Sequence, residues 1–184
     1  MRTILITAFI ALSVLVKSAV ADAYTIPNII NKDKDPELYC MAQNIFFEAG
    51  TESYMGKVAV ALVTMNRVKD TRYPNNICEV VYQGPVRESW KTQVTPDPND
   101  AIFYPIRNKC QFSWYCDGKK DIPVNSIGWR QAQEIAVFVV KLGQWSGLME
   151  GATHYHADYV SPDWRKKLHL IGQIDRHIFY RWND

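Results

Sequence analysis

The chain has 184 residues, 47% of them hydrophobic and 12% aromatic, which is the size and apolar content of one domain with a proper core. Its 21 basic and 19 acidic residues leave a formal charge of +2, and removing residues 1–21 takes away Arg2 and Lys17, so 21 less 2 leaves 19 against 19. A near-neutral surface excludes an electrostatic case for nucleic acid as the partner.

The first predicted element is a leader. Residues 1–23 carry Arg2, an apolar stretch from Ile4 to Val16 and small residues before a polar break, with cleavage expected after Ala21 or Ala23. That stretch falls short of the ~20 residues a spanning helix needs, so no stable membrane insertion is expected. Residues 24–184 are then one domain. Export makes Cys40, Cys78, Cys110 and Cys116 candidates for two disulfides. Cys40–Cys78 would tie two predicted helices and Cys110–Cys116 would close a small loop.

A helix is predicted from Asp35, with Pro36 in its first turn, Leu38, Met41, Ala42, Ile45 and Ala49 on one face, and Gly50 as the stop. A second helix, capped near Thr51 or Ser53, runs through "MGKVAVALVTMNRV" and is apolar nearly all round, which marks it as the buried central helix. "NICEVVYQ" reads as a short helix and residues 84–109 as a long loop. A third long helix is expected from about Gly128 to Leu142, ended by Gly143. "LHLIGQI" and "HIFYRW" suggest a small β-hairpin. The predicted class is mainly α, with a minor β element near the C-terminus.

Glu48 stands in the last turn of the first helix, behind Ile45, Phe46 and Phe47. Apolar neighbours and the negative end of the helix dipole both favour the protonated carboxyl, which suits a general acid near neutral pH. An exposed acid in a surface ion pair is the plainer alternative. Glu52 lies four residues on, beyond the break expected at Gly50 and Thr51, as either a helix-start acid or a site residue. His154 and His156 would share one side of an extended segment and suit a metal together with Asp158 or His177. With no H-E-x-x-H array nearby, hydrogen-bonding roles beside a groove are the simpler reading, and no metal or cofactor is expected. Phe112, Trp114, Tyr115, Tyr155, Tyr159 and Trp164 are candidates for stacking on sugar rings, with Gln111 or Ser113 supplying hydrogen bonds.

In order, "IFFEAGTESYMGKVAVALVTMNRV", "YPNNICEVVYQ", "CQFSW", "GATHYHADYVSPDW" and "IGQIDRHIFYRW" resemble the SleB/CwlJ family of cell-wall hydrolases over most of residues 38–182. The resemblance implies a lysozyme-like, lytic transglycosylase-like domain acting on peptidoglycan glycan strands, and a monomer is expected. It implies Glu48 as the catalytic acid, with Glu52, Gln111, Phe112, Ser113, Tyr155 and His156 as groove or supporting positions. A lytic transglycosylase needs no protein nucleophile, because the muramic acid C6 hydroxyl attacks C1. The chain departs from the family in reading Glu-Ala-Gly-Thr-Glu, where the glycine usually directly precedes the second acid, and in the long 84–109 segment. A metal-dependent amidase built on His154 and His156, and a non-catalytic wall-binding protein, are the two rival readings.

Overall fold

The computed structural model describes residues 30–94 and 97–183; the leader expected at residues 1–23 lies outside them. Helix α1 (Pro36–Ala49) starts at Asp35 with proline in its first turn, as the sequence predicts. Helix α2 (Tyr54–Lys69) is capped by Ser53, whose Oγ accepts from the Gly56 N–H at 3.2 Å. Helix α3 (Ile77–Val81) is capped by Asn76, whose side chain accepts from the Glu79 N–H at 2.8 Å.

Residues 84–109, expected as an irregular loop, contain strands β1 (Val86–Glu88) and β2 (Phe103–Pro105), paired antiparallel. Three-residue strands with mostly exposed side chains leave no buried alternation for a sequence reading to detect. Helix α4 (Ile127–Val140) follows, with Ser126 accepting from the Trp129 N–H at 3.1 Å. Gly143 beyond it has φ +62°, the left-handed conformation that favours glycine after a helix end.

The expected C-terminal hairpin is present and larger than predicted. Strand β3 (His154–Ala157) joins β4 (His169–Ile174) and β5 (His177–Arg181) in an antiparallel sheet of order β3-β5-β4. Both disulfides form in the expected pairing, Cys40–Cys78 and Cys110–Cys116.

Helix α1 packs against α2, α3 and α4, and the core is built around Met41, Ile45, Val58, Val63, Ile135 and Phe179. One polar cluster sits inside it. Asn44, fully buried, donates to Thr64 Oγ1 at 3.0 Å and accepts from Trp114 Nε1 at 3.0 Å. A satisfied buried network of this kind fixes one arrangement of its parts. Here it locks the short 3₁₀ turn Ser113–Cys116 against α1 and α2, one turn from Glu48.

Candidate active site

Glu48 lies on the wall of a cleft of about 470 Å³. Helix α1 contributes Phe47 and Glu48, α2 contributes Arg67, the disulfide loop contributes Gln111, Ser113 and Asp117, and β3 contributes Tyr155 and His156. A larger cleft of about 610 Å³ elsewhere, around Lys69, Asp70 and Trp182, has Asp70 already paired with Arg72 at 2.7 Å.

The Tyr155 hydroxyl donates to Glu48 Oε2 at 2.9 Å. Burial pushes the Glu48 carboxyl above its ordinary range. The Tyr155 hydrogen bond, the Ser113 and Trp114 backbone amides and the Arg67 charge pull the other way without cancelling that effect. The direction agrees with the sequence expectation, although the surroundings differ in part. Phe47 stacks on Trp114 at 4.8 Å beside the cleft, whereas Phe46 turns away to meet Trp129 at 5.7 Å.

Arg67 was not singled out by sequence reasoning. It is 5% exposed, its Nε donates to the Thr153 carbonyl at 2.8 Å, and its guanidinium lies 4.9 Å from the Phe112 ring centroid and 5.4 Å from that of Tyr73. Its Nη1 is buried without a hydrogen-bond partner among the described residues. The available signal was a cation on the otherwise apolar face of α2, a position that chains seldom fill without a counter-charge or a ring.

Two of the expected groove or supporting positions lie off the cleft lining. Phe112 is 1% exposed and forms the core surface on which Arg67 rests, so it does not line the cleft. Glu52 is also absent from the lining. Its side chain, 4% exposed, pairs with Arg176 Nη2 at 3.0 Å and accepts from the Arg176 N–H at 3.2 Å. Ser53 N–H donates to Asp175 Oδ2 at 2.9 Å beside it, so the α1–α2 turn is clamped to the β4–β5 turn.

Burial alone would raise the Glu52 carboxyl, but the Arg176 backbone and side-chain hydrogen bonds hold it below its ordinary value. A depressed carboxyl contributes stability that is present above its unfolded pKa and lost as pH falls through the folded one. Arg176→Ala is therefore expected to lower the melting temperature by a few degrees near neutral pH and to flatten the loss of stability on the acid side. Thermal melts over a pH series read both effects.

Gln111 and Ser113 are exposed on the cleft wall. His156 lines the cleft with both ring nitrogens engaged: Nδ1 lies 2.9 Å from the Ala157 carbonyl and Nε2 3.0 Å from the Tyr180 hydroxyl. A carbonyl only accepts, so Nδ1 carries the hydrogen and Nε2 accepts from Tyr180. His154 shares that face of β3 but is packed against the rings of Trp164 and Trp182 at 5.4 and 5.0 Å, and burial lowers its pKa to about 4. Among the described residues no group of three or more His, Cys, Asp and Glu converges for a metal. Of the proposed stacking aromatics, Trp114, Tyr155 and Tyr159 line the cleft.

Asp117 is the other carboxylate on the lining, also unremarked from sequence. Its Oδ1 accepts from the Lys119 N–H at 2.7 Å and its Oδ2 pairs with Lys119 Nζ at 3.1 Å. These contacts hold its carboxyl below the ordinary range, opposite to Glu48. Two carboxyls of opposite tendency thus line one cleft.

The α+β fold that carries this cleft is found again among known proteins. The family model described as Cell Wall Hydrolase matches residues 51–180, and the chain belongs to that family. Glu48 lies three residues ahead of the matched stretch. In sequence the chain is similar to the spore cortex-lytic enzyme of Halalkalibacterium halodurans, 39% identical over 49 residues, covering 27% of this chain and 15% of that protein. The spore cortex-lytic enzyme of Bacillus cereus is 34% identical over 56 residues, covering 30% of this chain and 22% of the relative. The matches thus span less than a quarter of these relatives. In structure it resembles the catalytic domain of Bacillus cereus SleB, with TM-score 0.52 and 22% identity over 87% of this chain and 99% of that one. The catalytic domain of the germination-specific lytic transglycosylase SleB of Bacillus anthracis gives TM-score 0.52 and 23% identity over 85% and 100%. At that identity the likeness establishes the fold, which is the class the sequence predicts.

Proposed function

We propose that this protein cleaves the glycan strand of peptidoglycan between MurNAc and GlcNAc as a lytic transglycosylase, with Glu48 as the single acid/base. The observation that carries this reading is a buried carboxyl with a raised pKa on the cleft of a chain that belongs to the cell wall hydrolase family. Secretion through removal of residues 1–23 and action in the cell envelope belong to the same reading. Among the described residues no helix is long and apolar enough to cross a membrane.

Tyr155 donates to Oε2 and holds the carboxyl in place, and the carboxyl bears the acid proton. Glu48 gives that proton to the glycosidic oxygen as its bond to C1 breaks. The resulting carboxylate is met by the Tyr155 hydroxyl, the Ser113 and Trp114 amides and the Arg67 charge. It then takes the proton of the muramic acid C6 hydroxyl as that oxygen bonds to C1. The proton lost in the first half returns in the second, no water enters, and the product is a 1,6-anhydro sugar.

Asp117 favours a second reading, hydrolysis, in which it activates a water opposite Glu48. Asp117→Asn separates the two. Transglycosylation predicts that the variant still releases anhydro muropeptides from purified sacculi at a rate within about threefold of the parent, since no second carboxylate takes part. Reducing-end products from the parent, together with a loss of about 10²-fold or more in the variant, would establish hydrolysis instead. Mass spectrometry distinguishes the ends, because an anhydro product is one water lighter.

A further inference from the structure

Several exposed large apolar side chains lie together on the β1–β2 hairpin, outside the cleft that holds Glu48. Trp90 is 74% exposed and Tyr104 54%. Tyr104 is the direct cross-strand partner of Arg87, so the two side chains stand on one face of the hairpin. Together with Trp90, Lys91 and Gln93 they line a groove of about 510 Å³.

The charges of this groove are unbalanced. Arg87 and Lys91 stand against the one carboxylate of Glu88, which accepts from the Thr92 hydroxyl at 3.2 Å, and among the described residues neither cation is in an ion pair. Lys91 Nζ lies 5.8 Å from the Trp90 ring centroid, so a ring and a cation are presented side by side. Exposed rings flanked by polar groups mark binding surfaces. A ring stacks on the C–H face of a sugar, and a free guanidinium or ammonium attracts a carboxylate.

The hairpin is continuous with the cleft wall. Ile106 N–H donates to the Pro85 carbonyl at 2.9 Å, Gln111 N–H to Gln83 at 2.9 Å and Asn108 N–H to Cys116 at 3.0 Å. A Cβ on Gly84 would come within 2.9 Å of Cys110 Sγ and 3.0 Å of its Cα, so glycine lets the hairpin neck press against the disulfide loop. That loop carries Gln111 and Ser113 of the cleft. Tyr104 stands two strand residues, about 7 Å, from the neck.

We propose that the hairpin groove is a second peptidoglycan-binding site, in which Trp90 and Tyr104 stack on sugars beyond the cleft while Arg87 and Lys91 hold the carboxylates of the peptide stems. This rests on the glycan-strand reading of the cleft. Its effect is to keep the domain on an insoluble polymer between cleavages, since a second linked contact raises avidity without altering the first.

The test measures binding of the full chain to purified sacculi in a Glu48→Gln background, which prevents degradation during the assay. Trp90→Ala with Tyr104→Ala is expected to weaken binding about tenfold, both on intact sacculi and on glycan stripped of its stems by an amidase. Arg87→Gln with Lys91→Gln should weaken binding to intact sacculi and leave binding to stripped glycan unchanged. All four side chains are solvent-facing, and an unchanged melting temperature confirms that the variants fold. Binding within twofold of the parent for both pairs overturns the second site while leaving the cleft reading intact. A parent that neither binds nor solubilises sacculi overturns both. Binding to phosphatidylglycerol vesicles that the ring variants abolish, with sacculus binding unchanged, would assign the surface to membrane and also overturn the proposal.

Discussion

Glu48→Gln is expected to lower the rate at which the protein solubilises purified sacculi by about 10²–10⁴-fold, the range that one positioned general acid supplies. Glutamine keeps the shape of the carboxyl and can still accept from the Tyr155 hydroxyl, so the loss is of the proton and not of the site. Retention of the parent rate would remove Glu48 from the chemistry. The same variant tests the electrostatics independently. Burial raises the Glu48 carboxyl above its ordinary value of 4.5, so the folded state holds that proton to higher pH than the unfolded state does. Its contribution to stability is complete below the unfolded value and is lost as pH rises through the folded one. Glu48→Gln should therefore melt above the parent near neutral pH, with the gap closing as the solution is acidified. A gap of constant size would show that burial does not set the titration.

Arg67→Met is the second large change. It keeps an unbranched apolar stem in α2 and removes a buried cation, its hydrogen bond to the Thr153 carbonyl and its contacts with Phe112 and Tyr73. The stability cost is about 2–3 kcal/mol, because a buried carbonyl loses a charged donor and two rings lose their cation. The functional effect has a definite sign. Arg67 is one of the groups that pull the Glu48 carboxyl down, so its removal raises that carboxyl further. The alkaline limb of the pH–rate profile then moves to higher pH while the maximal rate falls, since the carboxylate left after proton transfer loses its nearby positive charge. Arg67→Lys keeps the charge and should restore the position of the limb more fully than it restores stability. A limb that does not move in Arg67→Met would assign Arg67 to packing alone.

Most of the helical frame was legible because its signals are local. Asp35 and Pro36 begin α1, Ser53 caps α2, Asn76 opens α3, and the periodic apolar face of α4 outlines its span to within two residues. The favoured one of the three possible cysteine pairings, a tie between two helices and a small closed loop, is the pairing found. The β structure was legible only in part. The β4–β5 hairpin is encoded in adjacent β-branched and aromatic runs, whereas β3 becomes a strand by lying along β5, a contact made across intervening turns. The β1–β2 hairpin carries exposed side chains on short strands, which produce no hydrophobic period to read.

By itself the sequence determined that an acid follows an apolar run at the end of a helix, that a disulfide loop and a Tyr-His pair lie further along, and that their order resembles a family of wall hydrolases. Those features depend on spacing and residue chemistry within a few turns of chain. Only the tertiary structure decided what surrounds each acid. Glu48 meets Tyr155 from 107 positions away and stays in the cleft, while Glu52 meets Arg176 from 124 positions away and becomes a clamp between two turns. Similar carboxyls four residues apart thus take opposite shifts, because a carboxyl's proton affinity depends on the water, charges and donors around it, and in both cases those are brought by distant chain.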